Sequence, residues 1–182
     1  MTRRGRLRNP VPALVVALLL VGLLSPAVSA QGNANVCVDV KGKQQVQKGT
    51  ATCTADDTSR AMAKGEDSTA TATNQSVARV KGTGSNAVAD SNSSATVTGD
   101  GSSAYATDGE GNTASVTGDG STAYAVFGDG NTATVNGDGS VADAGSGDSN
   151  TATVTGDASY AQATGGTGNT AIITGDDSSA ES

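Results

Sequence analysis

Asn112-Thr113-Ala114-Ser115-Val116-Thr117-Gly118-Asp119-Gly120 is followed by Ser121-Thr122-Ala123-Tyr124-Ala125-Val126-Phe127-Gly128-Asp129-Gly130, and this stretch contains the unit that organises the chain. Asn112, Asn131, Asn150 and Asn169 recur with a 19-residue period. So do Ser102, Ser121, Ser140, Ser159 and Ser178, and so do Gly99, Gly118, Gly137, Gly156 and Gly175, each followed by Asp. A fixed period near 20 marks an array whose units bury their faces only against neighbours. Inside the unit, Ala114 and Val116 share one parity while Thr113, Ser115 and Thr117 share the other, and period two predicts a strand. Gly-Asp-Gly then breaks it, because Gly accepts positive φ and Asp suits turns. Ala123 and Ala125 repeat the inward parity in the second half. Each unit therefore predicts two short strands and two corners. Stacked about 4.8 Å apart, such units make an all-β, narrow, two-sided β-solenoid.

Towards the N-terminus the array loosens. Segments beginning at Ser59, Ser68, Ser76 and Ser85 are spaced nine, eight and nine apart, which gives 17-residue coils over 59–92 and 19-residue coils over 93–182. Starts at 59, 76, 93, 112, 131, 150 and 169 predict about seven coils, a rod on the order of 30 Å long. Its interior is mostly Ala. At about 0.8 kcal/mol per buried CH₂ that core is weak, so backbone ladders and an inward column of stacked Asn112, Asn131, Asn150 and Asn169 amides should supply much of the stability. The alternative is a disordered acidic secreted tail, which the Gly, Ser, Thr and Asp content favours. The retained phase and parity argue against it.

Residues 1–30 predict a secretory signal: Arg3, Arg4, Arg6 and Arg8, an apolar run over 13–24, and Val28-Ser29-Ala30 as a small-x-small cleavage site before Gln31. The run is short for a membrane span, so the mature chain should have no transmembrane segment. Arg3-Arg4 also suggests a twin-arginine route, but Arg6 occupies the position usually aromatic there, which favours the general one. The full chain carries −7, and losing those four arginines leaves −11. After Lys81 there is no Lys or Arg. So acidic an array argues against nucleic acid and anionic membranes as partners. In residues 31–58, alternating Val36, Val38 and Val40, the turn Lys41-Gly42-Lys43, and Val46 onward to Cys53 predict a hairpin-like β cap. In a secreted chain its two cysteines, Cys37 and Cys53, are expected to pair.

With no His in the chain, no Ser-His-Asp or Cys-His constellation can form, and no enzymatic activity is expected. Three surface columns remain as candidates. Asp100, Asp119, Asp138, Asp157 and Asp176 form an acidic column, with Glu110, Asp129 and Asp148 forming part of a second. Like charges spaced so closely repel, and calcium, which prefers carboxylate oxygens, is a candidate ligand, against solvated turn residues. Thr113, Thr132, Thr151 and Thr170, with Thr117, Thr155 and Thr174, form a flat hydroxyl lattice, against Thr as an ordinary exposed-strand residue. Tyr105 and Tyr124 stack on the second strand, with Tyr160 nearby.

Gly109-Glu110-Gly111-Asn112-Thr113-Ala114-Ser115-Val116 and Gly128-Asp129-Gly130-Asn131-Thr132-Ala133-Thr134-Val135 resemble curlin repeats, which carry a Gly-x-x-Asn-x-Ala-x-Val rhythm and build extracellular fibres. The likeness covers about 93–177. Where curlin repeats have Gln, two residues after the Val, this chain has Gly118, Gly137, Gly156 and Gly175. The Gly spacing is also similar to the calcium-binding nonapeptide repeats of RTX proteins, but Thr113 stands where their calcium-binding Asp would be. The Thr lattice looks like the ice-binding face of antifreeze β-solenoids. The expected function is a secreted, non-enzymatic structural or adhesive repeat protein of the cell surface or extracellular matrix, partnered end to end with itself or with a surface. The alternative is a soluble module binding ice or calcium.

Overall fold

The computed structural model describes residues Asn35–Ser182; the predicted signal segment and residues 31–34 lie outside that range. The described residues form 17 strands in stacked coils, a β-solenoid of about seven turns. The first sheet contains β1 (Val36–Val40), β2 (Lys43–Lys48), β4 (Arg60–Lys64), β6 (Val77–Lys81), β8 (Ser94–Thr98), β10 (Thr113–Thr117), β12 (Thr132–Asn136), β14 (Thr151–Thr155) and β16 (Thr170–Thr174). The second contains β3 (Thr52–Ala55), β5 (Thr69–Ala72), β7 (Asn86–Ala89), β9 (Ser103–Thr107), β11 (Thr122–Val126), β13 (Val141–Gly145), β15 (Tyr160–Thr164) and β17 (Ser179–Glu181). The chain passes from one sheet to the other at every corner of the array, so each strand there lies parallel to the strand two positions on.

Register follows the repeat. Ala114 pairs with Ala133 and Val116 with Val135, and the next coils add Ala152 with Val154, then Ala171 with Ile173. All are buried. On the second sheet both inward positions of each complete rung from β5 to β15 are Ala, as at Ala123 and Ala125. Thus Ala–Val pairs from one sheet meet Ala–Ala pairs from the other, and the core is built of small side chains from both.

The step from narrow to wide coils is confined to one of the two corners. Five positions separate Val80 from Ser85 and Val116 from Ser121, in narrow and wide coils alike. The other corner runs four positions from Ala72 to Ser76 and from Ala89 to Ser93, but six from Ala106 to Asn112. Two residues enter there and Ser gives way to Asn at the same step. Gly118 shows why Gly occupies the place of the curlin Gln: its φ is +137° and a Cβ would lie 2.1 Å from the Gly137 carbonyl oxygen of the next coil. No larger residue fits between these stacked backbones.

At the N-terminal end, β1 runs antiparallel to both β2 and β4. It places Cys37 opposite Ala63 and Asp39 opposite Ala61, so both continue the inward columns. Cys37 is disulfide-bonded to Cys53 across the two sheets, with Cα atoms 5.6 Å apart. Cys53 lies on β3, the first rung of the second sheet, rather than on the hairpin's return strand. The return strand β2 instead turns Gln44 and Gln47 towards the core end: Gln44 Nε2 donates to Cys37 Sγ (3.8 Å) and Gln47 Nε2 to the Ala51 carbonyl (2.6 Å).

Candidate functional site

The corners hold most of the polar chemistry. In the wide corners the Asn112, Asn131 and Asn150 side chains are fully buried. Each Oδ1 accepts the backbone N–H of the next Asn along the axis: Asn131 to Asn112 at 2.8 Å, Asn150 to Asn131 at 2.9 Å, Asn169 to Asn150 at 2.9 Å. The Nδ2 of each Asn from 112 to 169 donates across the corner to the carbonyl five positions earlier, Thr107, Val126, Gly145 and Thr164 in turn. The axial bond is therefore amide to backbone rather than amide to amide. In the narrow corners Ser59, Ser76 and Ser93 perform the axial half of this task with Oγ, at 3.0–3.1 Å. A wider corner needs the additional crossing bond, and the longer Asn side chain makes it from Nδ2 while Oδ1 keeps the axial bond.

The opposite corner carries a buried serine column. Ser102 Oγ donates to the Gly118 carbonyl (2.7 Å) and accepts the Ser121 N–H (3.1 Å), and Ser121 and Ser140 repeat the pattern. These serines sit on the inward parity just before each strand. That position in the repeat is the sequence sign of burial, although the carbonyl they serve belongs to the next coil.

The exposed acidic column is tied into the same corner. Asp100 Oδ1 accepts the Thr83 N–H, and Asp119, Asp138, Asp157 and Asp176 each accept the N–H of the preceding member, at 2.7–2.9 Å. On the other corner Asp129 accepts the Glu110 N–H and Asp148 the Asp129 N–H. These carboxylates bind turn amides that have left the strand ladders. Among the described residues no group of three or more His, Cys, Asp or Glu side chains converges to hold a metal ion. In the narrow corners, hydrogen bonds from the Ser59 hydroxyl and the Asn74 N–H hold the Asp56 carboxyl far below the usual range. The Thr73 hydroxyl likewise lowers that of Asp90.

On the first sheet Thr113, Thr132, Thr151 and Thr170 stand in register, as do Thr117, Asn136, Thr155 and Thr174. Thr113, Thr117, Thr155, Thr170 and Thr174 are exposed, whereas Thr132 and Thr151 are half-buried. Asn136 interrupts one column, and Ile172, 62% exposed, replaces the middle hydroxyl of the last rung. On the second sheet the Tyr105 and Tyr124 rings stack with centroids 5.4 Å apart. The next rungs of that column are Asp143 and Gln162. Burial raises the Asp143 carboxyl above its ordinary range, against a weaker lowering by the Gln162 amide 3.4 Å away. Tyr160, beside it, is raised by burial and then by the charges of Asp143 and Glu181. A polar groove of about 400 Å³, lined by Asn74, Gln75, Ser91, Asn92, Gly109 and Glu110, forms where the corner widens.

No protein-family model, curated protein or solved structure matches the chain. Among the described residues no helix is long and apolar enough to cross a membrane.

Proposed function

We propose that the protein is a secreted, non-enzymatic structural or adhesive rod of the cell surface or extracellular matrix. The observation that carries this reading is the pair of in-register sheet faces, presented along about seven coils and braced at both corners by buried Asn and Ser ladders. Such a framework suits fixed display. The Cys37–Cys53 disulfide is compatible with an oxidising, extracellular setting, and residues 1–30 have the composition of a secretory signal. The test is fractionation of the producing culture with mass spectrometry of the N-terminus. The expected result is a chain beginning at Gln31 in the surface or matrix fraction; a cytosolic chain retaining residues 1–30 would overturn the reading.

The curlin-like side of the proposal is self-assembly end to end. Among the described residues β16 and β17 are the terminal strands of their sheets, with Asp176, Asp177 and Glu181 in or beside them. Unpaired edges template another chain and charge opposes this. The triple variant Asp176→Asn, Asp177→Asn, Glu181→Gln should form rods of several lengths in electron micrographs, while the parent stays monomeric. A variant that remains monomeric at high concentration removes the curlin-like reading. The in-register Thr columns favour ice binding as a second reading, which the absence of thermal hysteresis would exclude.

A further inference from the structure

Seven basic residues lie in the described chain, and six of them share one face. Register brings them together. On the outward face of the first sheet the rungs read, from the N-terminal edge, Lys48–Val46–Lys43 on β2, Val36–Val38–Val40 on β1, Lys64–Met62–Arg60 on β4, and Lys81–Arg79–Val77 on β6. The six basic side chains are exposed. Down the middle run Val46, Val38 and Met62, with Val46 and Met62 36% and 41% exposed. Lys48, Lys64 and Lys81 flank this strip on one side, Lys43 and Arg60 on the other, and Arg79 closes it. The only carboxylate on these four strands, Asp39, faces inward and is 8% exposed. Acidic residues return only in the corners, as Asp56, Asp57, Glu66 and Asp67.

We propose that this face binds a linear anionic polysaccharide whose sugars carry carboxylates. The inference rests on the adhesive reading above and names its partner. Four strands span about 14 Å and the paired length of a strand about 13 Å, so the backbone footprint is below about 200 Å². A stable interface with a folded protein needs about 800 Å² on each side, so a second copy is a poor fit. An anionic membrane lies flat against the whole sheet face. It would meet the Asp119, Asp138 and Asp157 column at one edge of that face and Asp129 and Asp148 at the other, and be repelled along the rod. A single thread laid on the first rungs avoids both columns. The apolar strip offers a seat for the C–H faces of sugar rings. Cations on both sides meet carboxylates that project alternately from a linear chain, a pattern of complementary charge that fixes register and is weakened by salt.

The test is calorimetric titration of the purified protein with polygalacturonate, with neutral dextran as control. Polygalacturonate should bind at low salt and weaken by about tenfold at physiological salt, the scale of releasing counterions from a few contacts; dextran should not bind. The variant Arg60→Gln, Lys64→Gln, Arg79→Gln, Lys81→Gln changes only exposed side chains and should keep the parent's circular dichroism while losing binding. Met62→Ala should weaken binding without changing its salt dependence, because it removes ring contact and no charge. Equal binding by parent and quadruple variant overturns the proposal, as does tighter binding to phosphatidylglycerol vesicles or dimerisation lost in that variant. A surface-located protein that ignores polygalacturonate defeats this inference alone, whereas a cytosolic location defeats the adhesive reading.

Discussion

Replacing Asn131 by Ala tests whether the corner ladders hold the rod together. In the parent, Asn131 Oδ1 accepts the Asn150 N–H at 2.9 Å and its Nδ2 donates to the Val126 carbonyl at 3.3 Å. Asn150 is fully buried, so water cannot replace the lost acceptor. An unsatisfied buried donor costs about 1–3 kcal/mol, and the second, ordinary hydrogen bond adds about 1 kcal/mol. The expected loss is about 3 kcal/mol, or about 6–12 °C in the melting temperature of a chain this size. Asn169 provides the internal control. It makes the same crossing bond, to Thr164 at 2.9 Å, but belongs to the last rung of its column, with no later Asn N–H to serve. Asn169→Ala should therefore cost only about 1 kcal/mol. Asn131→Asp keeps the axial acceptor but places a carboxylate against the Val126 carbonyl at a buried site, and should be worse than Ala. Thermal melts followed by far-UV circular dichroism, with urea midpoints as a second measure, read all three. Equal losses at 131 and 169 would refute the axial-acceptor argument.

Four further outcomes follow from the same geometry. Val135→Asp buries a charge between Val116 and Val154 and should cost several kcal/mol, whereas Thr134→Asp, its outward neighbour, should melt within a few degrees of the parent; equal effects would contradict the parity. Asp119→Ala removes the acceptor for the Asp100 N–H and should cost about 1 kcal/mol in a thermal melt, while Asp119→Asn keeps an acceptor, relieves repulsion along the column, and should raise the melting temperature, most clearly at low salt. Asp143→Asn should stabilise the fold at neutral pH: with a raised folded pKa, the parent's carboxyl penalises folding once it ionises, so the gain should open as pH rises through the ordinary carboxylate range to the raised folded value and vanish in acid, as melts across pH will show. Phe127 has φ +57° and is 63% exposed where other wide corners carry Asp108, Ser146 and Gly165, so Phe127→Asp should be neutral or stabilising in a urea melt, since a bulky residue is strained in that region.

The parts of the fold legible in the sequence are those written in neighbouring residues. Alternation of Ala and Val with Thr and Ser declares strand and parity within five positions, and the fixed phase of the repeat carries it from coil to coil. The corner chemistry was only half legible. Asp119 is recognisable as a turn residue, but its bond to the Asp100 N–H joins successive coils and depends on how the corners stack. The exchange of Ser93 for Asn112 is visible in the letters; that it accompanies two extra residues between Ala106 and Asn112, and why those residues call for a second hydrogen bond, requires the corner itself. The basic face was only partly legible. The 17-residue phase stacks Arg60 and Lys64 beside Arg79 and Lys81. Lys43 and Lys48 join them because β1 lies antiparallel between β2 and β4, an arrangement that no period in the sequence announces.

This division has a physical origin. A core of small Ala and Val side chains cannot by itself offset the ordering of a chain so rich in Gly and Ser, and the composition taken alone favours disorder. What changes the balance is repetition in register, which turns each Ser, Asn and Asp of a corner into a partner for the backbone of an adjacent coil. A single copy of the unit has no such partner. Each added coil satisfies donors that the preceding one left open, so stability grows through interfaces between coils rather than within them. The sequence can then carry small residues on both inward faces, and it places its least replaceable side chains, Asn and Gly, at the bends instead of in the strands. Gly118→Ala, a substitution that a hydrophobic-core argument ranks as mild, should on this reasoning disturb the rod more than Val135→Ala, because its Cβ would lie 2.1 Å from the Gly137 carbonyl oxygen.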